Sequence, residues 1–320
     1  MPLTMQGVAL DNPARPYVIA EAGGNHQHDV ATARRLIRAA ARAGADAIKF
    51  QTFTAAEIAA PGMAVPRGHD AAHDAWLERL GVRELRDLFR HGGLPRAWHK
   101  DLQRLATDHG LAFLSTPFSL DAARFLVEEL GVPALKIASG DLTFTPLLEY
   151  ANRSGLPVLL STGGATADEV DAAVTGPLFG AYQQRHLVLL HCRSVYPCPA
   201  EDAGLAVLRA WRWAYPNVAL GWSDHTLSVD VVPALAVAAG CSVVEKHLRC
   251  AGDQTSVDAA HALDPRAFAQ MVQTVRQVHA IYGSPEKAPL AAERHDRLYA
   301  RRDPLDWLRP VQAAREGRWA

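Results

Sequence analysis

A chain of 320 residues with 49% hydrophobic content can bury a sizeable core, which excludes a largely disordered protein and removes any need for disulfides or a structural metal in folding. Lys and Arg number 33 against 34 Asp and Glu, a net charge of −1, so the balance gives no support to a nucleic-acid or membrane-surface protein. No apolar run approaches the ~20 residues of a membrane span, residues 1–16 carry no apolar leader, and four cysteines without a CxxC pair point to buried thiols in a reducing cytoplasm.

In chain order, residues 1–16 read as an N-terminal extension that forms a hairpin. A nearly all-apolar strand follows at 17–23, then an amphipathic helix that opens at Asp29, a good N-cap, and stops before Gly44. The second strand is 47–52. Residues 53–97 form a long insertion with a helix near 73–91, of a length usual for lids and interface elements. The third strand, 112–118, leads into a helix from Ser119 to before Gly131. Strands four and five are 134–139 and 157–162. The next helix starts at Thr166 with acids in its first turn, favourable to the helix dipole. Strand six is 187–192 and strand seven 218–225. A helix over 229–240 carries Pro233 early, where a missing N–H costs little. Strand eight, 242–248, precedes a helix over 264–283. Eight such units predict an α/β protein, a (β/α)8 TIM barrel over 1–283, with 284–320 a short C-terminal tail rather than an independent domain. An open doubly wound sheet is the alternative. It would need a Gly-rich phosphate turn after the first strand, and AEAGGNHQHD lacks the GxGxxG spacing.

Each strand turns polar at its C-terminal end, where such a barrel builds its site. The residues there are Glu21, Lys49, Gln51, Ser115, Thr116, Lys136, Ser139, Ser161, Thr162, His191, Ser223, Asp224, His225, Glu245, Lys246 and His247. Lys49 and Lys136, flanked by apolar residues, either pair with Glu21 or Glu245 for stability or clamp an anion. With Thr116, Ser139 and Ser161 they suit a phosphate plus a carboxylate, because ammonium groups supply charge and hydroxyls supply directed donors. His225 and His247 end adjacent strands. They either hydrogen-bond or share one divalent ion, with Glu21, Glu245 or Asp224 nearby, and mixed N/O ligation suits Mn, Fe, Co or Zn better than Ca. Asn25 and His26 mark a loop that is either a plain turn or part of the site. Pro197 and Pro199 stiffen the loop that aims Tyr196 at the cavity. His28, His69, His73, His91, His99 and His109 read as solvated or structural.

The motifs AEAGGNHQHD, IKFQTF, FLSTPF, LKIASGD, LLSTGGA, LLHCRSVYPCP, GWSDHT and VVEKHL occur in this order, and the chain from about residue 17 to residue 283 resembles the N-acetylneuraminate (sialic acid) synthase family. The resemblance implies condensation of phosphoenolpyruvate (PEP) with an aldose or N-acylated hexosamine. The products are a 2-keto-3-deoxy sugar acid and phosphate, and the cofactor is a divalent metal, Mn2+ or Mg2+. It implies that Lys49, Thr116, Lys136, Ser139, Ser161 and Tyr196 surround PEP and that His225 and His247 hold the metal. Glu21, Gln51 and Asp258 then face the sugar and Glu245 lies near the reacting carbons, so catalysis falls to Glu21, Lys49, Gln51 and Glu245, with Ser223 beside them in substrate binding. His28 stands where the family usually has Gly, Arg193 where it has a small hydroxyl residue, and SVDA (256–259) keeps Asp258 of a GPDH segment without its His. The family's C-terminal antifreeze-like domain is expected to be missing. That would leave the acyl group of the sugar poorly read unless Arg294, Arg297, Arg301 or Arg302 replaces the lost arginine. A homodimer stays open, as do two other functions: a related barrel lyase or aldolase, or a catalytically silent binding subunit.

Overall fold

The computed structural model describes residues 3–12, 15–65, 67, 71–90, 92–283 and 286–318, without the side chains of residues 71–73, 76 and 279. Eight parallel strands carry the fold: β1 (Tyr17–Glu21), β2 (Ala47–Thr52), β3 (Ala112–Pro117), β4 (Leu135–Ile137), β5 (Val158–Ser161), β6 (Leu187–Cys192), β7 (Ala219–Asp224) and β8 (Val243–His247). Their order is β3-β2-β1-β8-β7-β6-β5-β4, and β4 lies beside β3 to complete the ring. This is the (β/α)8 barrel. Nearly every strand residue is buried, as a strand requires when side chains fill the barrel on one face and helices cover the other.

The main outer helices are α1 (Val30–Arg42), α2 (His99–Asp108), α3 (Leu120–Arg124, continued as a wider turn over Phe125–Leu130), α4 (Thr145–Arg153), α5 (Ala167–Thr175), α6 (Ala206–Ala214), α7 (Val231–Ala238) and α8 (Pro265–Tyr282). Their starts follow local chemistry. Asp29 accepts the N–H groups of Ala31 and Thr32, Ser119 accepts from Ala122, and Thr166 with Glu169 forms a capping box. Three helices, α2, α4 and α6, complete the pattern beyond those the sequence marks.

The barrel bottom is plugged from the N-terminus. Thr4–Met5 and Val8–Ala9 form an antiparallel hairpin. Leu3, Met5 and Leu10 are buried with Tyr17, Ile19, Ala47, Leu114, Leu159, Val188 and Val243, the lower inward layers of the strands. The insertion after β2 departs from the single helix expected near 73–91. Its described residues hold three short helices, Ala55–Ile58, Ala71–Arg79 and Leu85–Arg90, with a small core of their own around Val65, Leu77 and Val82. His69 and His91 lie outside the described residues, as does the side chain of His73. The chain divides into two compact units, Met1–Ile281 and Tyr282–Ala320. Within the second, Arg315 pairs with Asp306, and Asp303 accepts the N–H groups of Leu305 and Gln312. Among the described residues no helix is long and apolar enough to cross a membrane.

Candidate active site

A strand sends alternate side chains to opposite faces, so register decides which strand-end residues share the barrel mouth. Glu21 on β1 lies across from Lys49 on β2 and from His247 on β8. Gln51 faces Thr116 on β3, and Glu245 faces Ser223 on β7. These residues line a cavity of about 230 Å³ together with Lys136, Ser161, Ser139, Tyr196 and His225. Twelve of the thirteen residues assigned to the site thus surround one space. The thirteenth, Asp258, sits just behind His247. Phe118, Cys192 and Ser194 also contribute to the wall.

The other strand-end polar residues point away from this cavity, toward the helices. Lys246 is buried against Asp224 at 3.0 Å, and Ser115, Thr52 and His99 form a buried chain with contacts of 2.6 and 2.7 Å. His191 donates to the Ala203 carbonyl and Thr162 to that of Leu190. Asn25 and His26 are likewise internal. The Asn25 amide donates to the Leu248 carbonyl, while His26 Nε2 donates to that of Gly92 and its Nδ1 accepts the His28 N–H.

Charge in the cavity is nearly closed on itself. Lys49 Nζ lies 2.5 Å from Glu21 and 3.6 Å from Glu245, and it donates to Thr116 at 3.1 Å. Lys136 Nζ lies 3.6 Å from Glu245 and donates only to the Ile137 carbonyl, at 3.3 Å. Burial by itself would lower Lys49, but the two carboxylates outweigh it and raise its pKa. For Lys136 burial prevails over Glu245, and its pKa falls. Burial lifts Glu21 to about 7 against the pull of Lys49. Glu245 is also buried, yet Lys136 and Lys49 hold it below the usual carboxylate range. One carboxyl is therefore poised to exchange a proton near neutrality, and its neighbour stays ionised.

Hydroxyls gather beside Lys136. Ser139 Oγ accepts the Gly163 N–H at 2.9 Å, and the buried Ser161 hydroxyl has no protein partner. A Cβ at position 163 would come 2.4 Å from Ser194 Oγ and 3.0 Å from Ser139 Oγ, so only glycine lets the backbone approach the two hydroxyls. Donors of this kind beside a half-satisfied ammonium group suit an oxyanion.

Across the cavity lie the imidazoles. His225 and His247 have ring centroids 5.5 Å apart, and His225 Nδ1 donates to the Arg193 carbonyl at 2.6 Å, which leaves its Nε2 available. Among the described residues, however, a group of three potential metal ligands is formed by His247, Asp258 and His261, with one ligating atom of each within 4.8 Å of the others. His261 was missed in the sequence, because it follows an irregular loop rather than a strand end. Its only signal is the spacing from Asp258, D-x-x-H. Tyr196, half-exposed, covers the group with its ring centroid 4.2 Å from that of His225 and 4.8 Å from that of His261. Burial lowers His225 and His261 to about 4 and holds His247 well below its ordinary value, so all three are neutral and have lone pairs to offer at pH 7. The buried Nδ1 of His247 and Nε2 of His261 lack hydrogen-bond partners, which fits a cation site.

Comparison with known proteins matches the chain in sequence and in fold. The NeuB family model matches residues 36–287. An uncharacterized protein of Methanocaldococcus jannaschii is 36% identical over 89% of this chain and 77% of its own length. The N,N'-diacetyllegionaminic acid synthase of Legionella pneumophila is 35% identical over 89% of this chain and 78% of its own length. Among solved structures, the N-acetylneuraminic acid (sialic acid) synthetase of Leptospira borgpetersenii serovar Hardjo-bovis, in complex with citrate, superposes with a TM-score of 0.78 at 30% identity, over 92% of this chain and 95% of that one. On this match of sequence and fold, the chain belongs to the NeuB family.

Proposed function

We propose that this chain is a PEP-dependent synthase that condenses PEP with an aldose or N-acylated hexosamine to give a 2-keto-3-deoxy sugar acid and phosphate. The observation that carries the reading is the half-satisfied Lys136, which shares one cavity with the Ser139 and Ser161 hydroxyls and with neutral histidines. The lysine side takes the phosphate and carboxylate of PEP, and the histidine side takes the aldehyde. His225 and His247 are the residues that would hold a divalent ion, Mn2+ or Mg2+, which supplies Lewis acidity toward the aldehyde oxygen.

Lys136 and Lys49 set the position of the PEP anion. Holding two substrates in register is itself a large part of the rate gain. As C3 of PEP attacks the aldehyde carbon, C2 becomes electron-poor and is captured by water. The resulting tetrahedral carbon releases phosphate by C–O cleavage. The lysines and hydroxyls stabilise the charge that leaves with phosphate. Glu21, with a pKa of about 7, takes one proton of that water and returns a proton to the aldehyde oxygen, which becomes the new hydroxyl, while the second water proton leaves with phosphate as the C2 carbonyl forms; Gln51 fixes the Glu21 carboxyl by donating to Oε1 at 3.2 Å. Glu245, held by Ser223 at 3.1 Å, stays ionised beside both lysines. We place the enzyme in the cytoplasm, where PEP is available and four free cysteines persist.

Phosphate release from PEP tests the reading, with Mn2+ present and a panel of aldoses that includes N-acetylmannosamine, diacetamido hexoses and mannose. Aldose-dependent release supports it, and the absence of release with every aldose counts against it. The depressed Lys136 amine favours one rival, a Schiff-base aldolase. Borohydride trapping with a 2-keto acid separates the two, since a covalent adduct on Lys136 belongs to the aldolase alone.

A further inference from the structure

We propose that Asp258 and His261 are additional metal ligands in this chain, joining His247 as the core of the site that His225 borders. What the ion does there rests on the synthase reading above; which side chains hold it does not.

The three residues meet because the segment after β8 folds back on the strand end. Leu263 N–H donates to the His247 carbonyl at 2.9 Å and Arg249 N–H to the Leu263 carbonyl at 3.0 Å, which brings residues 258 and 261 beside His247. Asp258 is fixed by the Gly24 N–H, 2.8 Å from its Oδ2. That oxygen lies 3.6 Å from His247 Nδ1, and Oδ1 lies 3.8 Å from His261 Nε2. Both spacings are too long for hydrogen bonds. Two atoms each ~2.1 Å from one ion stand ~3.0–3.4 Å apart at octahedral or tetrahedral angles, so a shared cation requires each pair to close by well under an ångström.

Three independent features point to a cation. His247 and His261 are 7% and 4% exposed, and the facing nitrogen of each is buried without a hydrogen-bond partner. Such atoms carry a desolvation cost that a metal bond would offset. The two rings meet edge to face at 74° with centroids 4.4 Å apart, and one ligating atom of each lies within 4.8 Å of the other and of Asp258. The space is also kept open by sequence: a Cβ on Gly23, whose φ is +46°, would fall 2.0 Å from Asp258 Oδ2 and 3.3 Å from His247 Cε1. Two imidazoles and one carboxylate favour Mn, Fe, Co or Zn over Mg, which prefers oxygen ligands and keeps its waters. His225 stands at the edge of the group, its ring centroid 5.9 Å from that of His261.

The test is Co2+ binding to chelator-treated protein without substrates, followed by the visible absorption of the bound ion and a Mg2+ competition. His261→Gln keeps the bulk of the ring and removes the nitrogen donor. The expected result is a Kd for Co2+ at least about tenfold higher, with altered absorption bands, in a variant that melts like the metal-free parent. Mg2+ at equal concentration should not displace Co2+ from the unmutated protein. An unchanged Kd and spectrum in the folded variant would overturn the assignment, as would equal competition by Mg2+. If His261→Gln does not fold, ring-15N spectra of the unmutated protein decide: the His261 signal shifts on Zn2+ addition if it is a ligand and stays in place if it is not. Phosphate release assayed separately reports on the synthase reading, so metal binding through His261 without PEP turnover would sink that reading alone.

Discussion

Lys49 and Lys136 look alike in sequence and differ in their partners. Lys49 already has two carboxylates and a hydroxyl, whereas Lys136 has one carbonyl and a carboxylate at 3.6 Å. Their alanine variants should therefore fail differently. Lys136→Ala is expected to weaken PEP binding at least ~30-fold, the low end of the ~2–5 kcal/mol lost when a partner of a buried charge is removed; calorimetric titration with PEP measures it. Lys49→Ala leaves Glu21 and Glu245 buried without their shared counter-charge, so it should also destabilise the fold by roughly 3–5 kcal/mol, read from denaturant unfolding. Equal PEP affinity in Lys136→Ala and parent protein would remove the anion role from this side of the cavity. His26 and His99 give a pH prediction away from the cavity. Burial lowers both to about 4, below the ordinary 6.5. In the unfolded chain each takes up a proton as pH falls below about 6.5, and in the folded protein each refuses it until about 4. Their contribution to stability is thus intact above 6.5 and is lost as pH falls toward 4, by about 1.4 kcal/mol per unit for each ring. His99→Gln should flatten the pH dependence by that amount in unfolding measurements at pH 5 and 7. A slope equal to that of the parent would show that His99 titrates normally.

At the scale of elements, two segments outside the strands make the barrel a working container. The N-terminal hairpin closes the bottom, with Leu10 fully buried among inward side chains of the strands. Leu10→Ala is expected to cost about 2–5 kcal/mol, with PEP affinity unchanged in the folded fraction because the cavity lies at the other end. The loop after β5 forms the oxyanion side. Gly163→Ala should abolish PEP binding while leaving the melting temperature within a few degrees of the parent. The added methyl would meet Ser194 and Ser139 hydroxyls and Cys192 Sγ at 3.2 Å, side chains that can shift, rather than backbone. A Gly163→Ala protein that still binds PEP would place the phosphate elsewhere.

For the molecule as a whole, the barrel's strands are held by ladders and its bottom by the apolar plug, so folding does not wait for a metal. Chelator-treated protein is therefore expected to unfold cooperatively. Adding Mn2+ at a hundred times its Kd should then raise stability by about 2.7 kcal/mol, the gain from an ion that binds only the folded state. Thermal unfolding with and without Mn2+ checks this, and a chain unfolded in chelator would mean that the ion is structural.

The barrel was legible in the sequence because parallel strands covered on both faces must be apolar and because a barrel site must sit at their polar ends. The eight strands are local signals, and so are the helix starts at Asp29, Ser119 and Thr166, where a side-chain oxygen meets free N–H groups two or three residues on. Most of the candidate site was legible for the same reason: Lys49, Lys136, Glu245 and the histidines cannot be surface residues within such runs. Three matters needed the tertiary structure. The face each strand-end residue takes depends on register, which sends Glu245 and His247 into the cavity and Lys246, between them, against Asp224 outside it. The division of the insertion into three short helices depends on its packing around Val65, Leu77 and Val82. The place of His261 depends on a loop whose return to β8 is set by backbone hydrogen bonds to His247 and Leu263, contacts that no periodicity announces.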